Sequence, residues 1–131
     1  MPEWLKIAVC EDEDAQRDYI CALVGQWAEK KGIPCETTGY VSAEQLMYSF
    51  DGELPYQVYI LDIQMGKMNG MELARKIRAA DSQAAILFLT GVKDYAIEGY
   101  EVAAVLYLLK PVRENEVFRI IDELAEKQNK T

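Results

Sequence analysis

Short apolar runs alternate with amphipathic stretches along this chain, and most of the apolar runs stop at a residue able to do chemistry. Leu5–Cys10 reads as a buried first strand. From Asp14 to Lys31, Ala15, Tyr19, Ile20, Leu23, Val24 and Trp27 recur at spacings of three and four, which makes one helical stripe. Gly32 ends that helix. Cys35–Thr38 is a short second strand. Ser42 with Gln45 has capping-box spacing before a short helix that closes near Asp51-Gly52. Val58–Leu61 is the third strand, and Asn69 with Glu72 opens a helix running to about Ala80. Ala85–Leu89 is the fourth strand, Asp94 to Glu101 a short helix interrupted by Gly99, and Val105–Leu109 the fifth strand. A last helix carries Val117, Ile120, Ile121 and Leu124 on one face, and its polar end from Glu126 onward is expected to fray.

Alternating strands and helices predict an α/β fold: a doubly wound five-stranded parallel sheet covered on both faces. Right-handed crossovers leave few topologies, and the order 2-1-3-4-5 is the simplest. Ligands of such sheets bind beyond the carboxyl ends of the strands, where the winding reverses. At that rim stand Glu11-Asp12 after strand one, Asp62 after strand three, Thr90-Gly91 after strand four and Lys110 after strand five. Two carboxylates about 4 Å apart repel by roughly 4 kcal/mol at an effective dielectric near 20. Such a cluster calls for a cation, and Mg²⁺ is commonly held by carboxylates, water and phosphate oxygens. Lys110 is a point charge for phosphate, and the Gly91 N–H is open to an anion. Carboxylate, Mg²⁺, Lys and Thr together suit the formation of an acyl phosphate on an aspartate.

Composition narrows the chemistry further. The 131 residues contain no histidine, which rules out Ser-His-Asp and Cys-His catalysis, histidine zinc sites and a phosphohistidine on this chain. The net charge of -8, from 14 Lys+Arg against 22 Asp+Glu, argues against direct nucleic-acid binding by this domain. Cys10, Cys21 and Cys35 lie beside apolar residues without C-x-x-C spacing and read as reduced packing thiols. No apolar run approaches the roughly 18 residues of a membrane span. No basic segment precedes a long apolar run at the N-terminus, so the expected location is cytoplasmic.

The stretches IAVCEDE, VYILDIQM, MNGMELARKIR, ILFLTG and LYLLKP, in this order and spacing, resemble the receiver domain of two-component response regulators. The resemblance spans about residues 5 to 126 and implies a flavodoxin-like receiver fold forming a single domain over 1–131, with any output domain absent from this chain. DYAIEGYEVAAVLYLLKP further resembles the LytTR subgroup (the LytR/AgrA type), in which a receiver precedes a DNA-binding domain and controls transcription. Carried over position by position, the resemblance implies that Asp62 accepts the phosphoryl group. It implies that Glu11, Asp12, Asp62 and the backbone carbonyl of Gln64 hold Mg²⁺, with Mn²⁺ as a substitute. Lys110 would pair with a phosphoryl oxygen, and Thr90 and Tyr107 would be the switch pair. Lys110-Pro111 would be a cis peptide bond. The implied partners are a sensor histidine kinase and a second copy docked on the face of the Asp94–Glu101 helix, the fifth strand and the last helix. The implied activity is self-phosphorylation and autodephosphorylation rather than enzymatic turnover.

Three positions depart from the family pattern: Glu11 where Asp is commoner, Gly66 where Pro is frequent, and Leu106 where the LytTR subgroup often has Asp. Two other readings share these residues. A pseudo-receiver binds protein only, and usually lacks one of the acids, the Thr or the Lys. A phosphohydrolase of the haloacid dehalogenase type needs D-x-D-x-[TV], whereas Asp62 is followed by Gln64 and Gly66.

Overall fold

The computed structural model describes residues 5–49, 56–65, 69–91, 106–111 and 113–129. Its elements run β1 (Leu5–Cys10), α1 (Asp14–Lys31), β2 (Cys35–Tyr40), α2 (Ala43–Tyr48), β3 (Val58–Leu61), α3 (Gly70–Ala80), β4 (Ala85–Thr90), β5 (Leu106–Leu109) and α4 (Glu114–Asn129). The five strands form one parallel sheet in the order β2-β1-β3-β4-β5. The helix expected over Asp94–Glu101, the Val105 start of the fifth strand and the Asp51-Gly52 close of the second helix lie outside the described residues.

Strand alternation sorts the core into two layers. Ile7, Val9, Val58, Ile60, Leu87 and Leu89 face α1 and α4. Ala8, Cys10, Tyr59, Leu61, Ile86 and Phe88 face α2 and α3. Both faces of the central strands are thus buried, as near-continuous apolar runs require.

The helix ends follow local chemistry. Gly32 closes α1 in the left-handed conformation at φ 65°, and its N–H reaches the carbonyls of Ala28 and Glu29. The Ser42 hydroxyl accepts from the Gln45 N–H at 3.0 Å, while the Gln45 side chain accepts from the Val41 N–H at 2.7 Å. Asn69 accepts from the Glu72 N–H at 2.9 Å.

Three details differ from the sequence reading. β2 continues past Thr38 to Tyr40, because pairing with β1 reaches Cys10 opposite Tyr40 and overrides the weak strand preference of Gly39. α4 keeps its helical backbone to Asn129 rather than fraying at Glu126. On α1, Ile20, Leu23, Val24 and Trp27 are buried, but Ala15 and Tyr19 are exposed. Tyr19 instead lines a surface hollow with Gln16, Lys110 and Pro111.

α1 and α4 pack through their apolar faces and share a polar tie. The Trp27 indole N–H donates to Asp122 at 2.7 Å, and the Lys31 ammonium lies 3.3 Å from the same carboxylate oxygen. Trp27 is also among the largest fully buried side chains. Replacing it with Phe removes the donor and leaves a gap in the core. The expected loss in unfolding free energy, measured by urea denaturation, is about 1–3 kcal/mol; an unchanged midpoint would show that the tie carries no weight.

Candidate functional site

The sheet register carries the rim residues to one place. The backbone ladder continues one step beyond β1 and β3. The Glu11 N–H donates to the Tyr40 carbonyl at 3.0 Å, and the Asp62 N–H donates to the Cys10 carbonyl at 3.0 Å. The Lys110 N–H donates to the Thr90 carbonyl at 2.8 Å, fixing the end of β5 against the end of β4. The Lys110–Pro111 peptide bond is cis.

Glu11, Asp12, Glu13, Asp62, Gln64, Gly91 and Lys110 line a single open cavity of about 420 Å³. The Lys110 ammonium donates to the Asp62 carboxylate at 2.9 Å and also to the Glu11 carboxylate. Glu11, though a carboxyl group, is buried at 1% exposure, whereas Asp12 stands exposed at the rim. One carboxylate oxygen each from Glu11, Asp12 and Asp62 lies within 4.8 Å of the others. Three carboxylates against one ammonium leave an excess of negative charge. An all-oxygen donor set of that kind fits a hard divalent cation. The Gln64 N–H donates to Asp62 at 3.3 Å, which seats Gln64 on the same wall.

The two buried carboxyls are pushed in opposite directions. Burial drives the Glu11 carboxyl up to about 7, with the Lys110 and Glu13 hydrogen bonds pulling against it. Burial also acts on Asp62, but hydrogen bonds from Thr90 and Lys110 outweigh it and hold the group below the ordinary carboxylate range. Asp62 is therefore ionised at neutral pH. Thr90 is itself buried, and its hydroxyl already engages Asp62. A Cβ added to Gly91 would meet no described protein atom within 4 Å, so the glycine leaves the cavity wall open at that point.

Tyr107 pairs with Phe88 in the sheet, and its side chain lies outside the described residues, as does Gly66. All three cysteines are free thiols; Cys10 is buried and burial pushes it up to about 12, which makes it a packing group beside the site.

The match with known proteins agrees with this geometry. Residues 7–122 fit the family described as response regulator receiver domain. The chain belongs to that family. The receiver domain is 35% identical over 118 residues to the sensory transduction protein LytT of Oceanobacillus iheyensis, covering 88% of this chain and 46% of that protein. It is 32% identical over 123 residues to the transcriptional regulatory protein RprY of Bacteroides fragilis, covering 92% of this chain and 49% of that protein. The chain thus spans about half the length of the curated relatives it matches. The LytT likeness is in keeping with the LytTR resemblance. The response regulatory domain of protein mrkE from Klebsiella pneumoniae superposes with a TM-score of 0.86 over 97% of this chain and 100% of that one, at 22% identity, and so shares the receiver fold.

Within the stretch MNGMELARKIR, the sequence alone gives Gly70 no role of its own. Gly70 opens α3, and its N–H donates to the Ile63 carbonyl at 2.8 Å. A Cβ there would stand 2.0 Å from the Asp62 carbonyl oxygen and 3.0 Å from Ile63 Cα. The helix start therefore presses on the backbone that presents Asp62. Helix propensity alone favours Ala over Gly by about 1 kcal/mol. Crowding reverses the sign, so Gly70→Ala is expected to destabilise the domain by about 1–3 kcal/mol or more in urea denaturation. A stabilised variant would refute the contact.

Proposed function

We propose that this receiver domain takes a phosphoryl group from a sensor histidine kinase onto Asp62 and passes the event on through a change of surface. What carries the reading is the bridge of Lys110 to both Glu11 and Asp62, with Asp12 beside them, at the predicted carboxyl-end rim. An ionised Asp62 oxygen attacks phosphorus, and the bond from phosphorus to the kinase imidazole breaks, leaving that imidazole on the kinase. These 131 residues have no histidine, so the phosphohistidine or small phosphodonor lies outside this chain.

Glu11, Asp12, Asp62 and the Gln64 carbonyl are the residues that would hold Mg²⁺ or Mn²⁺. When bound, the cation offsets charge on the transferring phosphoryl group. Lys110 turns from its carboxylate partners toward a phosphoryl oxygen. Thr90 supplies a hydroxyl donor, and the Gly91 N–H is a second donor for the same group. The added charge and acceptors then bias Thr90 and Tyr107, and with them the β5 and α4 face, toward pairing with a second copy. Loss of the phosphoryl group by hydrolysis resets the domain. In a complete regulator of the LytT kind, the response is cytoplasmic control of transcription through a DNA-binding domain outside this chain.

Intact mass after incubation with acetyl phosphate tests this directly. Wild-type protein is expected to gain the mass of one phosphoryl group with Mg²⁺ and not without it, and Asp62→Ala to gain none. Full uptake by Asp62→Ala would move the acceptor elsewhere. No uptake by wild type from either acetyl phosphate or a phosphorylated kinase would leave a protein-binding pseudo-receiver.

A further inference from the structure

Arg17 lies in the first turns of α1, outside the residues that line the cavity, yet it is tied to them. One guanidinium nitrogen donates to the Glu11 carbonyl at 2.9 Å, and the other donates to the Asp14 carboxylate at 2.5 Å. The side chain is only 15% exposed, although Asp14 is 83% exposed. Its stem crosses the face of Gly39 on β2. A Cβ built on Gly39 would stand 3.1 Å from Arg17 Cδ and 3.3 Å from Cγ. Gly39 pairs with Val9, one position before Cys10 leads into the acid pair.

Every polar group of Glu11 is thereby held. Its N–H is on Tyr40, its carbonyl on Arg17, and its carboxylate on Lys110 and on the Glu13 N–H at 3.2 Å. The Arg17 bond ties the Glu11 carbonyl to a side chain of α1 that does not line the cavity. Two prongs on a planar group, clamped over a glycine, fix the direction in which the chain leaves β1.

We infer that Arg17 is a positioning residue for the cation site: by holding the Glu11 carbonyl across Gly39, it sets where the Glu11 and Asp12 carboxylates stand. The inference rests on the cation-binding reading above. Outer groups that orient metal ligands are typically worth about 10–100-fold in metal affinity. Arg17 is also a positive charge near the site. Removing that charge would by itself strengthen cation binding, the opposite sign. A variant that keeps the charge and loses the fork therefore separates the two roles.

The test is calorimetric titration of MgCl₂ into the unphosphorylated protein. Arg17→Lys keeps the charge and is expected to weaken Mg²⁺ binding about ten-fold. Gly39→Val leaves Arg17 in the chain but displaces it, and is expected to do the same, since valine is a good strand residue. Asp122→Asn, which disturbs the Trp27 and Lys31 tie between α1 and α4, is expected to leave Mg²⁺ affinity within about two-fold of wild type. Its urea midpoint reports how much affinity plain destabilisation removes. Wild-type affinity in both Arg17→Lys and Gly39→Val would overturn the positioning role. Saturable binding missing from the wild type would overturn the cation reading itself, and this inference with it.

Discussion

The ammonium of Lys110 is the contact on which the site depends. It joins two carboxylates that the sheet has carried into a low-dielectric rim, one from the end of β1 and one from the end of β3. Without a cation between them, such a pair would repel by roughly 4 kcal/mol at 4 Å and an effective dielectric near 20. The lysine arrives from β5, two strands away from β3 in the sheet. Its backbone is pinned to Thr90, so its reach is set by the register of β4 with β5. The same bridge divides the labour of the acids. Glu11 is buried and driven upward, Asp62 is held ionised, and Asp12 faces the solvent.

Around this bridge the fold removes freedom from the backbone that presents each acid. On the β3 side, Gly70 presses the start of α3 directly onto the Asp62 carbonyl and ties its N–H to Ile63. On the β1 side, the Glu11 carbonyl is taken by Arg17. The buried layers formed by Ile60, Leu87 and Leu89 on one face and by Tyr59, Leu61 and Phe88 on the other keep the strands in register. Preorganisation of this kind lets a site act on a charged group without first rearranging. The surplus negative charge left after Lys110 makes an all-oxygen donor set that fits a divalent cation.

Most of this architecture was legible before the structure. The Ile- and Val-rich runs 5–10, 58–61 and 85–89 are buried on both faces, so their strand character needs no partner to reveal it. Their ends name the site because doubly wound sheets bind at the carboxyl edge. What stayed hidden depends on contacts between distant segments. The extension of β2 past Thr38 through Gly39 and Tyr40 comes from its partner strand, not from its own preference. Ala15 and Tyr19 follow the helical period of α1 but lie on exposed surface, which periodicity cannot show. Nothing in the sequence alone gives Gly70 or Arg17 a role of its own at the site. Only the approach of Asp62 to the one, and of Glu11 and Gly39 to the other, gives them a role.

On the proposed function, Lys110 leaves its carboxylate bridge for a phosphoryl group seated on Asp62. A crystal structure of the protein with Mg²⁺ and beryllofluoride, a stable mimic of the phosphoryl group, tests it most directly. The expected result is beryllium bonded to an Asp62 carboxylate oxygen, a fluoride on the Lys110 ammonium, and the cation among Glu11, Asp12, Asp62 and the Gln64 carbonyl. Beryllofluoride bound away from Asp62, or Lys110 still spanning Glu11 and Asp62 with the mimic in place, would contradict it.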